Sequence, residues 1–170
     1  MLVHGDSRMT ISGNGQPYVE ELNDQTIYRL VESRAEENPD AIFIGAPGRQ
    51  ALTYRGLLNQ VENVVYALRT LGLERNDRIA IVLPNGPEMA ATFIGVAAGA
   101  TCAPLNPSYR ANEFDFYMSD LNARAVILWS EMDSPARDIA RKQNIPILEL
   151  TPTLSAEAGS FELAGINKAT

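Results

Sequence analysis

The sequence predicts an α/β fold: a doubly wound, mostly parallel sheet with helices on both faces, preceded by a helix and a β-hairpin. Three observations lead there. Short apolar runs near residues 79, 102, 126 and 146 are each separated by a helical pattern, the alternation that builds parallel sheets. The runs Ile79 to Leu83 and Ala125 to Trp129 lack the polar alternation of a half-exposed strand, so they read as strands covered on both sides. The stretch from Arg78 to Tyr109 packs strand, helix and strand into tight succession, a βαβ unit whose crossover is almost always right-handed.

Taken in order, residues 1–23 carry Gly, Ser, Asn and Asp without a sustained period and read as an N-terminal tail or arm; the Ser-Gly-Asn-Gly stretch within them is no phosphate loop. Residues 24–150 form the α/β subdomain. Asp24 or Thr26 caps a first helix bearing Ile27, Leu30, Val31 and Ala35, which ends before Asn38 and Pro39. Ala41 to Gly45, a Pro47-Gly48 turn and Gln50 to Thr53 make a hairpin. Thr53 caps the strongest helix, where Leu57, Leu58, Val61, Val64, Val65, Leu68 and Leu71 form one stripe that stops at a left-handed Gly72.

After the strand at Ile79, Pro84-Asn85-Gly86-Pro87 turns into a helix carrying Met89, Phe93 and Val96 on a background of small residues, with Gly86 or Asn85 as its cap. Thr101 to Leu105 is its partner strand. Ser108 then caps a helix with Phe114, Tyr117, Met118 and Leu121, closed by Asn122. Ser134 with Pro135 opens a short helix through Ile139 and Ala140, and Ile145 to Leu150 is the last strand. Residues 151–170, rich in Ala, Ser, Gly and Thr, read as a linker or truncated end.

The 170 residues carry 14 Lys and Arg against 21 Asp and Glu, a net charge of −7, which argues against a nucleic-acid or anionic-membrane surface. No apolar run approaches a membrane span, and the start lacks the apolar core of a signal peptide. One cysteine, Cys102, fits a reducing compartment, and the cytoplasm is the expected location. The single histidine, His4, lies in the tail, so a self-contained Ser-His-Asp triad, Cys-His pair or multi-histidine metal centre is excluded. Cys102, flanked by Thr101 and Ala103 in an apolar strand, reads as buried structure rather than a nucleophile. Acidic residues such as Glu113, Asp115 and Asp120 read as solvated helix faces, with no metal site, and Gly95 with Gly99 as a close helix contact. This leaves no catalytic candidate. The substrate-binding candidates are Asn85, Gly86 and Asn106, at the carboxyl ends of two strands where open parallel sheets collect ligands. An anion could sit on the helix N-terminus at Gly86, against which stand Glu88 and the ordinary turn chemistry of Asn, Gly and Pro.

Four stretches carry a family resemblance: LTYRGLL from Leu52 to Leu58, RIAIVLPNGPE from Arg78 to Glu88, GVAAGATCAPLNPSY from Gly95 to Tyr109, and EFDFYMSDLNARAVI from Glu113 to Ile127. In their order and spacing they resemble the N-terminal part of adenylate-forming enzymes, the acyl- and aryl-CoA synthetases with luciferases and peptide-synthetase adenylation domains. The resemblance covers most of residues 26–150. Gly56 departs from it by replacing the usual Glu, which weakens a capping box with Thr53 at a cost of about 1 kcal/mol or less.

What the resemblance implies is a partial subdomain of a larger adenylate-forming fold. Its parent joins a carboxylate to ATP to give an acyl-adenylate and then a CoA thioester, using ATP, Mg and CoA. The family's Ser/Thr/Gly-rich phosphate loop ending in Pro-Lys-Gly and its catalytic lysine are not in this sequence, so the chain alone is expected to bind none of these cofactors and to be inactive. The expected partner is the remainder of the ligase chain, with self-association through an uncovered sheet edge or helices as a second possibility. The alternative from another class is a stand-alone binding module of the same fold. A small nucleotide-binding protein is disfavoured, since no glycine-rich phosphate loop follows any strand.

Overall fold

The structure, a computed structural model, describes residues 8–11, 17–20 and 26–166. His4, the Ser-Gly-Asn-Gly stretch and Asp24 lie outside them. Where the sequence shows only an arm, β1 (Arg8–Ile11) and β2 (Pro17–Glu20) form an antiparallel ladder with Arg8 opposite Glu20. Such a ladder is held by backbone bonds and needs no apolar stripe to announce it.

Helix α1 (Ile27–Glu37) starts at Thr26, whose hydroxyl accepts from the Arg29 amide at 3.2 Å. Val31 and Ala35 are buried, whereas Leu30 is exposed. The expected hairpin follows as β3 (Ile42–Ile44) and β4 (Leu52–Thr53), paired antiparallel. Thr53 caps α2 (Tyr54–Thr70) by accepting from the Gly56 amide at 3.2 Å, and Gly72 turns the chain at φ 71°.

The sheet begins with β5 (Arg78–Val82), then α3 (Pro87–Gly99), β6 (Thr101–Pro104), α4 (Ala111–Asp120), β7 (Ala125–Trp129), α5 (Pro135–Lys142), β8 (Ile147–Pro152) and β9 (Phe161–Ile166). The five strands lie in the order β6-β5-β7-β8-β9, the first four parallel and β9 antiparallel to β8. Ile79, Ile81, Ala125, Ile127, Leu148 and Leu150 face α2 and α3. Ala80, Val82, Val126 and Leu128 face α4 and α5 through Phe114, Met118 and Ala136. The doubly wound, mostly parallel α/β architecture is therefore present.

Four expectations are corrected. The chain past Thr151 is not a patternless linker over its described length: β8 runs on to Pro152 and β9 pairs with it, because the antiparallel partner covers what would otherwise be an open edge. The last parallel strand starts at Ile147 rather than Ile145, since the Ile145 amide still bonds the Ala140 carbonyl of α5 at 2.8 Å. Helix α4 starts at Ala111, not after Ser108; the Arg110 amide donates to Glu113 Oε2 at 2.9 Å, while the Ser108 amide goes to Asn106. Finally Cys102, expected as buried, is half-buried with Ala103, because β6 is a sheet edge whose Thr101 and Pro104 are exposed.

Helices α2 and α3 approach closely at the predicted small residues. A Cβ on Gly95 would lie 2.8 Å from Val64 Cγ2 and 2.9 Å from Val64 Cβ, and one on Gly99 would lie 3.0 Å from Val65 Cγ2. Gly95→Ala gains about 1 kcal/mol of helix propensity but overpacks a fully buried contact, at about 1–3 kcal/mol. The expected outcome in urea unfolding is a net destabilisation, smaller in a Val64→Ala background where two of the three nearest atoms are gone.

Candidate functional site at the carboxyl edge of the sheet

The strand order places β5 between β6, reached through α3, and β7, reached through α4 on the opposite face. The carboxyl ends of β5 and β7 are thus a topological switch point, the place where open α/β sheets bind ligands. Asn85 and Gly86 lie on the elbow that leaves β5 there, and both are exposed. Asn106 lies on the neighbouring strand end, also exposed, beyond the pairing of Ile81 with Pro104. Its side chain accepts from the Ser108 amide at 2.9 Å, which is turn chemistry. The rest of that connection is clamped by rings: Tyr109 stacks on Tyr117 at 5.1 Å and meets Phe114 edge-on at 5.8 Å. A hydrogen bond with Tyr117 raises the Tyr109 phenol above its ordinary range.

The helix terminus at Gly86 already holds an anion of the chain itself. Glu88 is buried in the first turn of α3, and its Oε1 accepts from Arg49 Nη1 and from the Gly159 amide at 3.3 Å. Arg49 stands in the β3–β4 turn. Its Nη2 donates to the Glu157 carbonyl at 2.8 Å and the Thr153 carbonyl at 3.3 Å, while its buried Nε has no partner among the described residues. Sequence reasoning assigned the negative charge of Glu88 correctly but missed Arg49, because its partners lie 39 to 108 residues away and no periodicity links them.

Other charged groups do structural work. Arg137 of α5 pairs with Glu149 of β8, and hydrogen bonds from Gln143 and then Lys142 hold the Asp115 carboxyl below its ordinary range. Burial pushes the Cys102 thiol up to about 12, so at neutral pH it is no thiolate. Among the described residues no three His, Cys, Asp or Glu side chains cluster as a metal site. None of the described helices is long and apolar enough to cross a membrane.

The family model for AMP-binding enzymes matches residues 31–165. The chain belongs to the AMP-binding enzyme family. It is 33% identical to an oxalate–CoA ligase of Arabidopsis thaliana over 82% of this chain and 27% of that one. It is 30% identical to gramicidin S synthase 2 of Brevibacillus brevis over 67% of this chain but 3% of that one. Among solved structures, a putative long-chain-fatty-acid CoA ligase from Rhodopseudomonas palustris matches with TM-score 0.61 and 28% identity, over 72% of this chain and 30% of that one. Apo MatB from the same species matches in fold, with TM-score 0.65 and 19% identity over 84% of this chain and 30% of that one. The chain therefore spans less than a third of the length of these relatives, as the N-terminal part of an adenylate-forming enzyme.

Two measurements follow from this geometry. Asn106→Ala is expected to cost about 1 kcal/mol in urea unfolding and Asn106→Asp much less, because Asp keeps the acceptor for the Ser108 amide. For Cys102, the folded thiol keeps its proton between pH 9.0 and about 12, where the unfolded thiol loses it. Stability from this group is thus present below the lower value and lost toward the upper. Alkylation by iodoacetamide at pH 8 is expected to be at least about tenfold slower in the folded chain than in urea.

Proposed function

We propose that this chain is the N-terminal scaffold of an ATP-dependent acyl-CoA synthetase-like ligase. In that reaction a carboxylate oxygen attacks the α-phosphate of ATP, pyrophosphate leaves, and a CoA sulfur then displaces AMP from the acyl-adenylate. The observation that carries the reading is the family match over residues 31–165, with the PLNPSY connection at the carboxyl edge of a sheet of the corresponding fold.

The chain's own part is to build one wall of the ligand crevice. Asn85 and Gly86 are the groups we propose to face a substrate there, with Asn106 shaping the adjoining turn. The residues present do not fit a triphosphate: the α3 terminus carries Glu88, and the nearby guanidinium of Arg49 is bound to that carboxylate and to two carbonyls. Stabilising charge on a transferring phosphoryl group must come from elsewhere, so the chain alone is inactive and ATP, Mg and CoA belong to the whole enzyme. A cleft of about 550 Å³ between α2 and β9, lined by Tyr66, Leu71, Phe161 and Leu163, fits a surface made to meet the remainder of a longer ligase.

ATP–pyrophosphate exchange with Mg and a panel of carboxylates tests both halves of the proposal. The 170-residue chain is expected to stay at the enzyme-free background, and carboxylate-dependent exchange above it contradicts the scaffold reading. A chimera carrying residues 26–166 in place of the matching segment of an acyl-CoA ligase is expected to retain exchange. A folded chimera without any counts against the ligase reading.

A further inference from the structure

The connection from Thr153 to Ser160, between β8 and β9, is held down at three separate points. Arg49 reaches two of its carbonyls, Thr153 and Glu157, with the same Nη2 while its Nη1 holds Glu88. A backbone bond adds the Ala158 amide on the Gln50 carbonyl at 2.8 Å, and the Gly159 amide donates to the Glu88 carboxylate at 3.3 Å. The third point is Glu157, whose carboxylate stands over the first turn of α2. A Cβ on Gly56 would come within 2.7 Å of Glu157 Oε2 and 2.8 Å of the buried Leu52 Cδ1, so the bare backbone at 56 leaves room for both. A carboxylate there is also favourably placed against the α2 dipole.

Gly159 completes the seat. It turns at φ 92° with the Pro87 carbonyl 3.0 Å from where a Cβ would lie, a position open only to glycine. Every one of these ties joins the connection to α3, α2 or the β3–β4 turn at the carboxyl edge. None of them joins it to the paired backbones of β5 and β7.

We propose that residues 153–160 form a latch over the carboxyl edge, closed by the Arg49 fork and by Glu157 in the space left at Gly56, and able to open as one unit while the parallel sheet stays intact. Opening takes the Gly159 amide from Glu88 and two carbonyls from Arg49, and lays the first turn of α3 open at the crevice. The inference concerns local opening of this chain and does not depend on the ligase reading.

Amide hydrogen exchange on the 170-residue chain tests it. In Arg49→Lys, where a point charge replaces a fork that serves three acceptors, exchange at Ala158, Gly159 and Ser160 is expected to accelerate at least about tenfold, with β5 and β7 unchanged. Glu157→Gln, which keeps the shape and removes the charge over the α2 terminus, is expected to accelerate the same three amides by less than Arg49→Lys, again with β5 and β7 unchanged. Acceleration spread equally into β5 and β7, or no change in Arg49→Lys or in Glu157→Gln, would each overturn the latch.

Discussion

The rest of the structure depends on one constraint: the two central strands, β5 and β7, must be covered on both faces at once. Ile79 to Val82 and Ala125 to Leu128 are fully buried, so neither side of these strands can face water. A parallel pair cannot be joined by a tight turn, and each link must travel over a face as a crossover. The crossovers are the helices that do the covering. Once α3 lies on one face and α4 on the other, strand order, the switch point between β5 and β7 and the exposed elbow at Asn85 all follow.

A buried ion pair at such an edge needs a reason, since removing two charges from water costs more than their attraction returns unless further hydrogen bonds complete the set. Here the set is nearly complete. Glu88 gains the Gly159 amide and the α3 dipole, and Arg49 gains two carbonyls that a β8–β9 connection must bury in any case. The planar fork suits this arrangement better than an ammonium would, because one rigid group meets acceptors on two segments. The pair ties the β8–β9 connection to α3 and to the β3–β4 turn.

The parts of the fold that were legible in the sequence are the local and periodic ones. Leu57, Val61, Val64 and Leu68 announce α2 by their spacing, Thr53 announces its cap, and Gly72 its left-handed end. What stayed hidden is non-local. Arg49 follows a Pro-Gly turn and looks like any exposed turn charge until the chain brings Glu88 and Thr153 to it. β9 does carry an alternation, with Phe161 buried, Glu162 exposed and Leu163 half-buried, but a short stretch of it beside Gly and Ser reads as a loop. Burial of Cys102 was overestimated because apolar residues mark a strand without saying whether it has one neighbour or two. The candidate site was legible only as a place: strand ends at Asn85, Gly86 and Asn106, with the chemistry of the edge set by residues far along the chain.

The three crossover helices sharpen the division between scaffold and chemistry. Each begins at the carboxyl edge, where bare amides would invite a phosphate, and each carries a carboxylate in its first turn. Helix α3 has Glu88, α4 has Glu113 reaching back to the Arg110 amide, and α5 has the Ser134 hydroxyl on the Ala136 amide with Asp138 in its first turn. An incoming phosphate would meet carboxylates at all three. A sheet of this kind can therefore shape a crevice and orient a neutral or apolar part of a ligand. The anionic part needs cationic or glycine-rich groups, of which this edge offers the exposed Arg110 at the α4 N-cap, and this supports the proposal that the chain is one wall of a site rather than the whole of it.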